Sequence, residues 1–350
     1  MNYAQAIREI GRGRVGARDL SLKEAQHLYG CLLDDNVPEL EAGAIAIALR
    51  MKGETASEML GFLNASLERL CPLRRPATPL RPIVIPTYNG ARKGANLTAL
   101  LALLLQRFSI PVVIHGLTES PERVTTAQIL HEFELMPCAH FTLAQQQLDN
   151  NGLVFIPLPI LSPGLDHQLG LRQRLGLRNS AHSLVKMLDP FKGEGVLLAA
   201  ATHLDYIDTM REVIGAVAGR ALLFRGTEGE PFANPKRCPR IEYLHDKTCE
   251  TLFAGEHDSL KALPDLPDAC DAATTATWMR RVLAGKIAIP QPIINQLACC
   301  LVASGHTKNS TAKITSQHGI IYHDLIKKLG KQKAAAYALA NEAAVRAYGE

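Results

Sequence analysis

The stretch Pro86–Thr98 reads PTYNGARKGANLT, between a short β-branched run, Ile83 to Ile85, and an apolar pattern of helical period from Asn96 to Phe108. A strand-to-helix turn of this kind aims backbone amides and a helix N-terminus at one point, which suits it to an anion. Gly90 and Gly94 allow close backbone approach. Asn89, Asn96 and Thr98 add polar side chains, Arg92 and Lys93 add charge, and Tyr88 is the one aromatic among these cations. Further on, Glu228 and Glu230 stand two residues apart in TEGE. Two readings apply to them: a shared magnesium ion, which prefers oxygen ligands, or a solvated acidic turn. His115, next to Gly116, reads as a general base or as a hydrogen-bonded histidine at a strand end. No Ser or Cys nucleophile with a partner acid accompanies it.

Other chemistries find no support. The chain has no phosphate-binding Walker sequence, zinc signature or dinucleotide fingerprint. Its eight cysteines are scattered apart from the pair Cys299 and Cys300, and none forms C-x-x-C, so small buried apolar side chains are the expectation. No run approaches the ~18 apolar residues of a membrane span. The N-terminus lacks the apolar stretch of a secretory signal, so a reduced cytoplasm is expected.

The formal net charge is only +4, but it is unevenly spread. Pro72 to Gly94 holds five basic residues (Arg74, Arg75, Arg81, Arg92, Lys93) and no acid. Gln168 to Lys192 holds Arg172, Arg174, Arg178, Lys186 and Lys192 against Asp189 alone. The rest of the chain is therefore net acidic, and the two basic windows are not generic surface.

The elements that must position these residues follow from periodicity. Residues 1–71 read as a small helical domain, with capping boxes Ser21/Glu24 and Thr55/Glu58 and a helix opened by Pro38 that ends at Arg50. Five prolines between Pro72 and Pro86 mark a linker into a second domain, residues 72–320. There, strands at Ile83–Ile85, Ile110–Ile114, Val196–Ala200 and Ala221–Phe224 alternate with helices at Asn96–Phe108, Pro121–Glu134 and Tyr206–Val217. This is an α/β fold: a small N-terminal helical domain plus a larger domain with a mostly parallel central sheet. The loops after residues 85, 114 and 224, at the carboxyl ends of strands, are where a ligand belongs. Residues 321–350 read as a basic helical extension with Lys327, Lys328, Lys331 and Lys333 at its front, either a solvated face or part of a binding surface.

Four segments in fixed order, PTYNGARKGANLT, VVIHG (Val112–Gly116), LGLRNSAHSL (Leu175–Leu184) and RGTEGEPFANP (Arg225–Pro235), give the chain a resemblance to the anthranilate phosphoribosyltransferases of the glycosyltransferase family 3 fold. The stretches YNGARK, ANLT, RNSAH, GRALL and TEGE resemble more closely a divergent, nucleic-acid-binding branch of that family. The resemblance implies a nucleoside phosphorylase/phosphoribosyltransferase type of fold. It implies that the segment near 166–188 packs with the N-terminal helices, and that protomers pair through those helices.

The resemblance also shows what has changed. The family's Gly-Thr-Gly-Gly-Asp loop, whose amides hold the pyrophosphate of phosphoribosyl pyrophosphate, is here Pro86, Thr87, Tyr88, Asn89 and Gly90. Pro86 lacks an amide donor, and Tyr88 and Asn89 put side chains where glycines let phosphate in. Asn96 and Thr98 retain part of the next motif, whereas the Lys-His-Gly-Asn motif becomes Ile114, His115, Gly116 and Leu117. An adjacent Asp-Glu metal pair becomes Glu228 and Glu230 separated by Gly229. Arg178 matches an anthranilate-holding arginine, and His182 stands near the matching asparagine.

The expectation is sequence-independent nucleic-acid binding by a homodimer, to single or double strands. The basic cleft is formed by Arg92, Lys93, Arg172, Arg174, Arg178 and Lys186, with Asn89, Gly90, Asn96, Thr98 and His115 at its base and Tyr88 as a stacking point. No cofactor is required in this reading. The alternative is a magnesium-dependent pentosyltransferase with an acceptor other than anthranilate, and a third reading is a scaffold for another protein.

Overall fold

The computed structural model describes residues 2–258 and 265–306. The lysine cluster 327–333 lies outside the described residues.

Seven strands form one sheet: β1 (Ile83–Thr87), β2 (Val112–Gly116), β3 (Leu153–Pro157), β4 (Val196–Ala201), β5 (Ala221–Arg225), β6 (Ile241–His245) and β7 (Thr248–Phe253), in the spatial order β3-β2-β1-β4-β5-β6-β7. The first five are parallel, and β6 and β7 form an antiparallel hairpin on β5. The order reverses at β1 and β4, so loops leaving these neighbours diverge to opposite sides and open a crevice at their carboxyl ends.

The parallel strands are buried on both faces, which explains their nearly continuous apolar composition. Alternation assigns each side chain to a face. Ile83, Ile85, Val112, Ile114, Leu198 and Leu222 pack with helices Thr98–Arg107, Ala272–Leu283 and Gln291–Ser304. Val84, Val113, Val154, Leu197 and Leu223 face the other way, into a core shared with the N-terminal helices. Those helices, Leu22–Leu33, Glu39–Lys52 and Ala56–Glu68, are fixed by both expected capping boxes. They also hold a buried ion pair, Lys52 Nζ to Glu58 Oε2 at 2.7 Å, with Asp19 at 2.6 Å. The segment 163–187 packs against them: Gln168 Nε2 donates to the Leu32 carbonyl, and a side chain at Gly164 would meet the Leu33 carbonyl at 2.3 Å.

Two sequence expectations change. The helix expected at Pro121–Glu134 is confined to Thr126–His131, because Thr125 caps it with a Gln128 capping box while Val124 bridges to Ala91 in extended backbone. Helix Phe141–Asn151, strand β3 and the β6–β7 hairpin add to the expected units. No helix among the described residues is long and apolar enough to cross a membrane.

His115 lies in β2, fully buried. Its Nδ1 lies 2.6 Å from the Tyr88 hydroxyl and its Nε2 3.2 Å from the Leu188 carbonyl. One neutral tautomer satisfies both contacts, with Nε2–H donating to Leu188 and Nδ1 accepting from Tyr88. Burial pushes the imidazole down from 6.5 to about 3, with the Leu188 carbonyl opposing. The unfolded chain therefore takes up a proton below pH 6.5 that the folded chain refuses, so His115's contribution to stability is full above that pH. It falls away as pH drops toward 3, by about 1.4 kcal/mol per unit. Denaturant titrations from pH 7 to 4.5 should show this loss, and His115→Gln, though less stable at pH 7, should show a shallower one; an unchanged slope would assign the acid sensitivity elsewhere.

Candidate functional site

The crevice at the carboxyl ends of β1, β4 and β5 is a cleft of about 400 Å³. The loop after β1 contributes Asn89, Arg92 and Lys93, the segment after β4 contributes Thr202 and His203, and the turn after β5 contributes Glu228. Arg123 reaches in from the loop after β2, and Arg178, His182 and Lys186 come from the segment that packs on the N-terminal helices. Arg50 comes from helix Glu39–Lys52, and Glu54 from the short connection between it and helix Ala56–Glu68. Six cations and two carboxylates line the space, so its field is positive.

Beneath the cations lies an arrangement that the sequence did not reveal. Glu230 is completely buried, yet its carboxylate is ringed by donors. Oε1 accepts from the amides of Asn89 (2.7 Å) and Gly90 (2.9 Å). Oε2 accepts a short hydrogen bond from Thr87 Oγ1, with Thr126 Oγ1, Thr98 Oγ1 and Asn96 Nδ2 within 3.5 Å. Glu228 takes the next two free amides of the loop, Arg92 N (3.2 Å) and Lys93 N (2.9 Å). Ala91 N donates to the Val124 carbonyl. Every amide from Asn89 to Lys93 is thus satisfied within the chain.

The turn that delivers both carboxylates is tightly constrained. Thr227 and Glu230 exchange backbone hydrogen bonds, and Glu228 and Gly229 between them have φ of +54° and +87°. A Cβ at Gly229 would stand 1.8 Å from Asn89 Nδ2, so glycine is required there.

Magnesium does not fit this donor set. Octahedral oxygen coordination needs carboxylate lone pairs facing open space. Here Glu230 is enclosed by N–H and O–H donors, and Glu228 is committed to two amides with Arg123 Nη1 at 3.8 Å. Both Glu228 and Glu230, the residues of the metal reading, act here as hydrogen-bond acceptors of the β1 loop.

The remaining sequence-expected residues divide by position. Asn96 and Thr98 are buried among Glu230's donors, and His115 sits below in β2 without reaching the cleft. Tyr88 is buried with its hydroxyl on His115, so it cannot stack on a ligand. Lys186 forms the floor, donating to the carbonyls of Ala200 and Gly229. Burial lowers it to about 8, with Glu230 opposing. Arg178 forms a wall, its Nη2 3.4 Å from Asn89 Oδ1. Desolvation, then Arg172 and Arg123, hold its guanidinium below the usual value. Arg172 flanks the cleft without lining it. Arg174 is placed elsewhere: bidentate to Glu39 at 2.7 and 3.1 Å, it borders a separate apolar groove on the N-terminal helices. His182 is pushed down to about 3 by burial and by Arg178 and Arg172, so it is neutral.

Sequence reasoning missed Arg50, Arg123, His203 and Tyr206. Tyr206 is the exposed aromatic of the cleft, 40% accessible, with its hydroxyl accepting from Arg50 Nη1 at 3.1 Å and the His203 ring 6.4 Å away. None carries a local signal. Arg50 lies near the end of a helix from the other domain, and Arg123 lies in a loop shared with Glu119 and Glu122.

Residues 4–70 match the helical bundle domain of the glycosyl transferase family. The chain is 46% identical over 306 residues to the protein YbiB of Escherichia coli strain K12, covering 87% of this chain and 95% of that one. It is 26% identical over 303 residues to anthranilate phosphoribosyltransferase of Myxococcus xanthus, covering 83% and 87%. In fold it matches the anthranilate phosphoribosyltransferase of Thermus thermophilus, with a TM-score of 0.68 at 20% identity, over 98% of this chain and 99% of that one. The Saccharomyces cerevisiae enzyme in complex with PRPP and Mg gives 0.66 at 14% identity, over 99% and 97%. With a relative so similar along nearly its whole length and the same two-part architecture, the chain belongs to the YbiB branch of the anthranilate phosphoribosyltransferase-like proteins of glycosyltransferase family 3.

Proposed function

We propose that this protein binds nucleic acid without regard to sequence, as a homodimer, along a cleft walled by Arg50, Arg92, Lys93, Arg123 and Arg178. One observation carries the reading. The loop amides are taken by Glu228 and Glu230, while the side chains of Arg50, Arg92, Lys93 and Arg178 have no carboxylate within ion-pair distance among the described residues. A site with spent amides and unpaired, partly exposed cations is better suited to a series of exposed phosphates than to one enclosed pyrophosphate. Tyr206, with the exposed Leu204 close to it in sequence, adds apolar surface for unstacked bases.

The homodimer reading rests on the groove lined by Ile7, Ile47, Leu175 and the strongly exposed Leu40 and Met51. A second copy would cover this apolar surface and place two clefts on one particle, adding avidity. The transferase alternative, with magnesium and an acceptor other than anthranilate, requires loop amides and a carboxylate pair that are free to meet a ligand; here they meet each other.

Fluorescence polarisation with labelled single- and double-stranded oligonucleotides across a salt series tests the reading. Four phosphate contacts predict a log-log slope of about −3 on single strands, and Arg92→Ala/Lys93→Ala should flatten it by about 1.4. A flat salt dependence, or none of the expected loss in the double variant, would remove the proposal. Tyr206→Ala should weaken single-strand binding by about 1–3 kcal/mol and leave duplex binding nearly unchanged; equal losses on both would mean that the ring acts only by supporting Arg50.

A further inference from the structure

Lys186 lines the cleft but stands apart from its cationic wall, on the floor and with 9% of the residue accessible. Its Nζ donates to the carbonyl of Ala200, near the end of β4, at 3.3 Å and to that of Gly229, in the turn after β5, at 3.1 Å. A protonated ammonium has three N–H groups for these two acceptors, whereas a neutral amine matches both and keeps a lone pair, with the cleft as the open space beside it. Around it stand Glu228 and Glu230 of the turn, Arg178 and His182 of its own segment, Arg92 and Lys93 of the β1 loop and His203 after β4. Burial lowers the amine to about 8, with Arg178 acting in the same direction and Glu230 against both. A desolvated amine next to another cation is the kind of lysine that attacks carbonyl carbon.

We propose that Lys186 is an amine nucleophile that captures the aldehyde of an abasic sugar in a strand bound along the cleft and holds it as an imine. This rests on the nucleic-acid reading of the same cleft. A sugar that has lost its base opens to an aldehyde at the carbon the base has left, and no base fills the space between that carbon and the floor. The cations of the wall hold the flanking phosphates. The Nζ lone pair forms the C–N bond while the carbonyl π pair moves to oxygen. That oxygen collects one proton from the nitrogen and one from solvent and departs as water. The iminium that remains keeps one N–H for a backbone carbonyl.

The test incubates the full chain with a labelled single strand carrying one abasic site, and with the same strand complete, in the presence of cyanoborohydride, which reduces an iminium to a stable secondary amine. The abasic strand alone should become attached, and peptide mapping by mass spectrometry should place it on Lys186. Attachment should quicken as pH rises through about 8 and then level off, whereas an ordinary lysine, at about 10.4, would still be gaining. Lys186→Arg keeps charge and donors but no nucleophile and should lose roughly tenfold or more of the attachment; should it fail to fold, the map on the unaltered protein decides. Attachment chiefly to Lys93 or another lysine would overturn the proposal, as would a strand that binds by fluorescence polarisation and is never attached. If neither strand binds, the polynucleotide cleft falls, and pyridoxal phosphate, a small anionic aldehyde, then tests the amine by itself: reductive labelling at Lys186 supports the nucleophile, and labelling elsewhere or none overturns it.

Discussion

The buried carboxylate of Glu230 is the interaction around which this end of the molecule is organised. An ionised carboxylate removed from water without partners costs many kcal/mol. Here two backbone amides, three hydroxyls and the Asn96 side-chain amide, from strand β1 and its loop, helix Thr98–Arg107 and helix Thr126–His131, close on it. The dependence is mutual, because those buried donors would otherwise be orphaned. The tight turn with two left-handed residues brings this side chain into place, and its geometry in turn places Glu228 over the outer amides.

This internal neutralisation decides what the cleft above can do. With the main-chain donors engaged, the field in the crevice comes from long side chains supplied by three sources: the β1 loop, the loop after β2 and the segments belonging to the N-terminal core. Burial first, and neighbouring cations after it, lower both Arg178 and Lys186. Such a cluster is costly by itself and becomes favourable only when anions are delivered to it. Its stability is underwritten by the shared apolar core, in which the N-terminal helices and one face of the sheet are continuous.

Much of the fold could be read from the order of residues. The capping boxes at Ser21 and Thr55 and the apolar runs of β1, β2, β4 and β5, β-branched in the first two, are local signals, because each reflects hydrogen bonding or packing between near neighbours. The loops after β1, β2 and β5 line the cleft, and Arg92, Lys93 and Arg178 line it with them. The local signal failed where a distant partner overrode it. Val124 pairs with Ala91 and so shortens a helix, while Tyr88 turns inward because His115 offers its hydroxyl a buried acceptor.

The sequence by itself determined that the chain folds as helices followed by an α/β sheet, that its charge is polarised, and that Pro86, Tyr88 and Asn89 stand where the family's anion loop has its three glycines. Tertiary structure alone decided the fate of that loop. Glu230 lies 141 residues from Asn89, and nothing in the spacing TEGE shows that both carboxylates point back onto main-chain amides rather than out to a metal. It likewise sent Arg174 to Glu39 and brought Arg50 and Tyr206 into the cleft. Such pairings depend on where whole elements dock, which is set by the burial of their apolar faces, and a charged side chain simply takes the partner that docking provides.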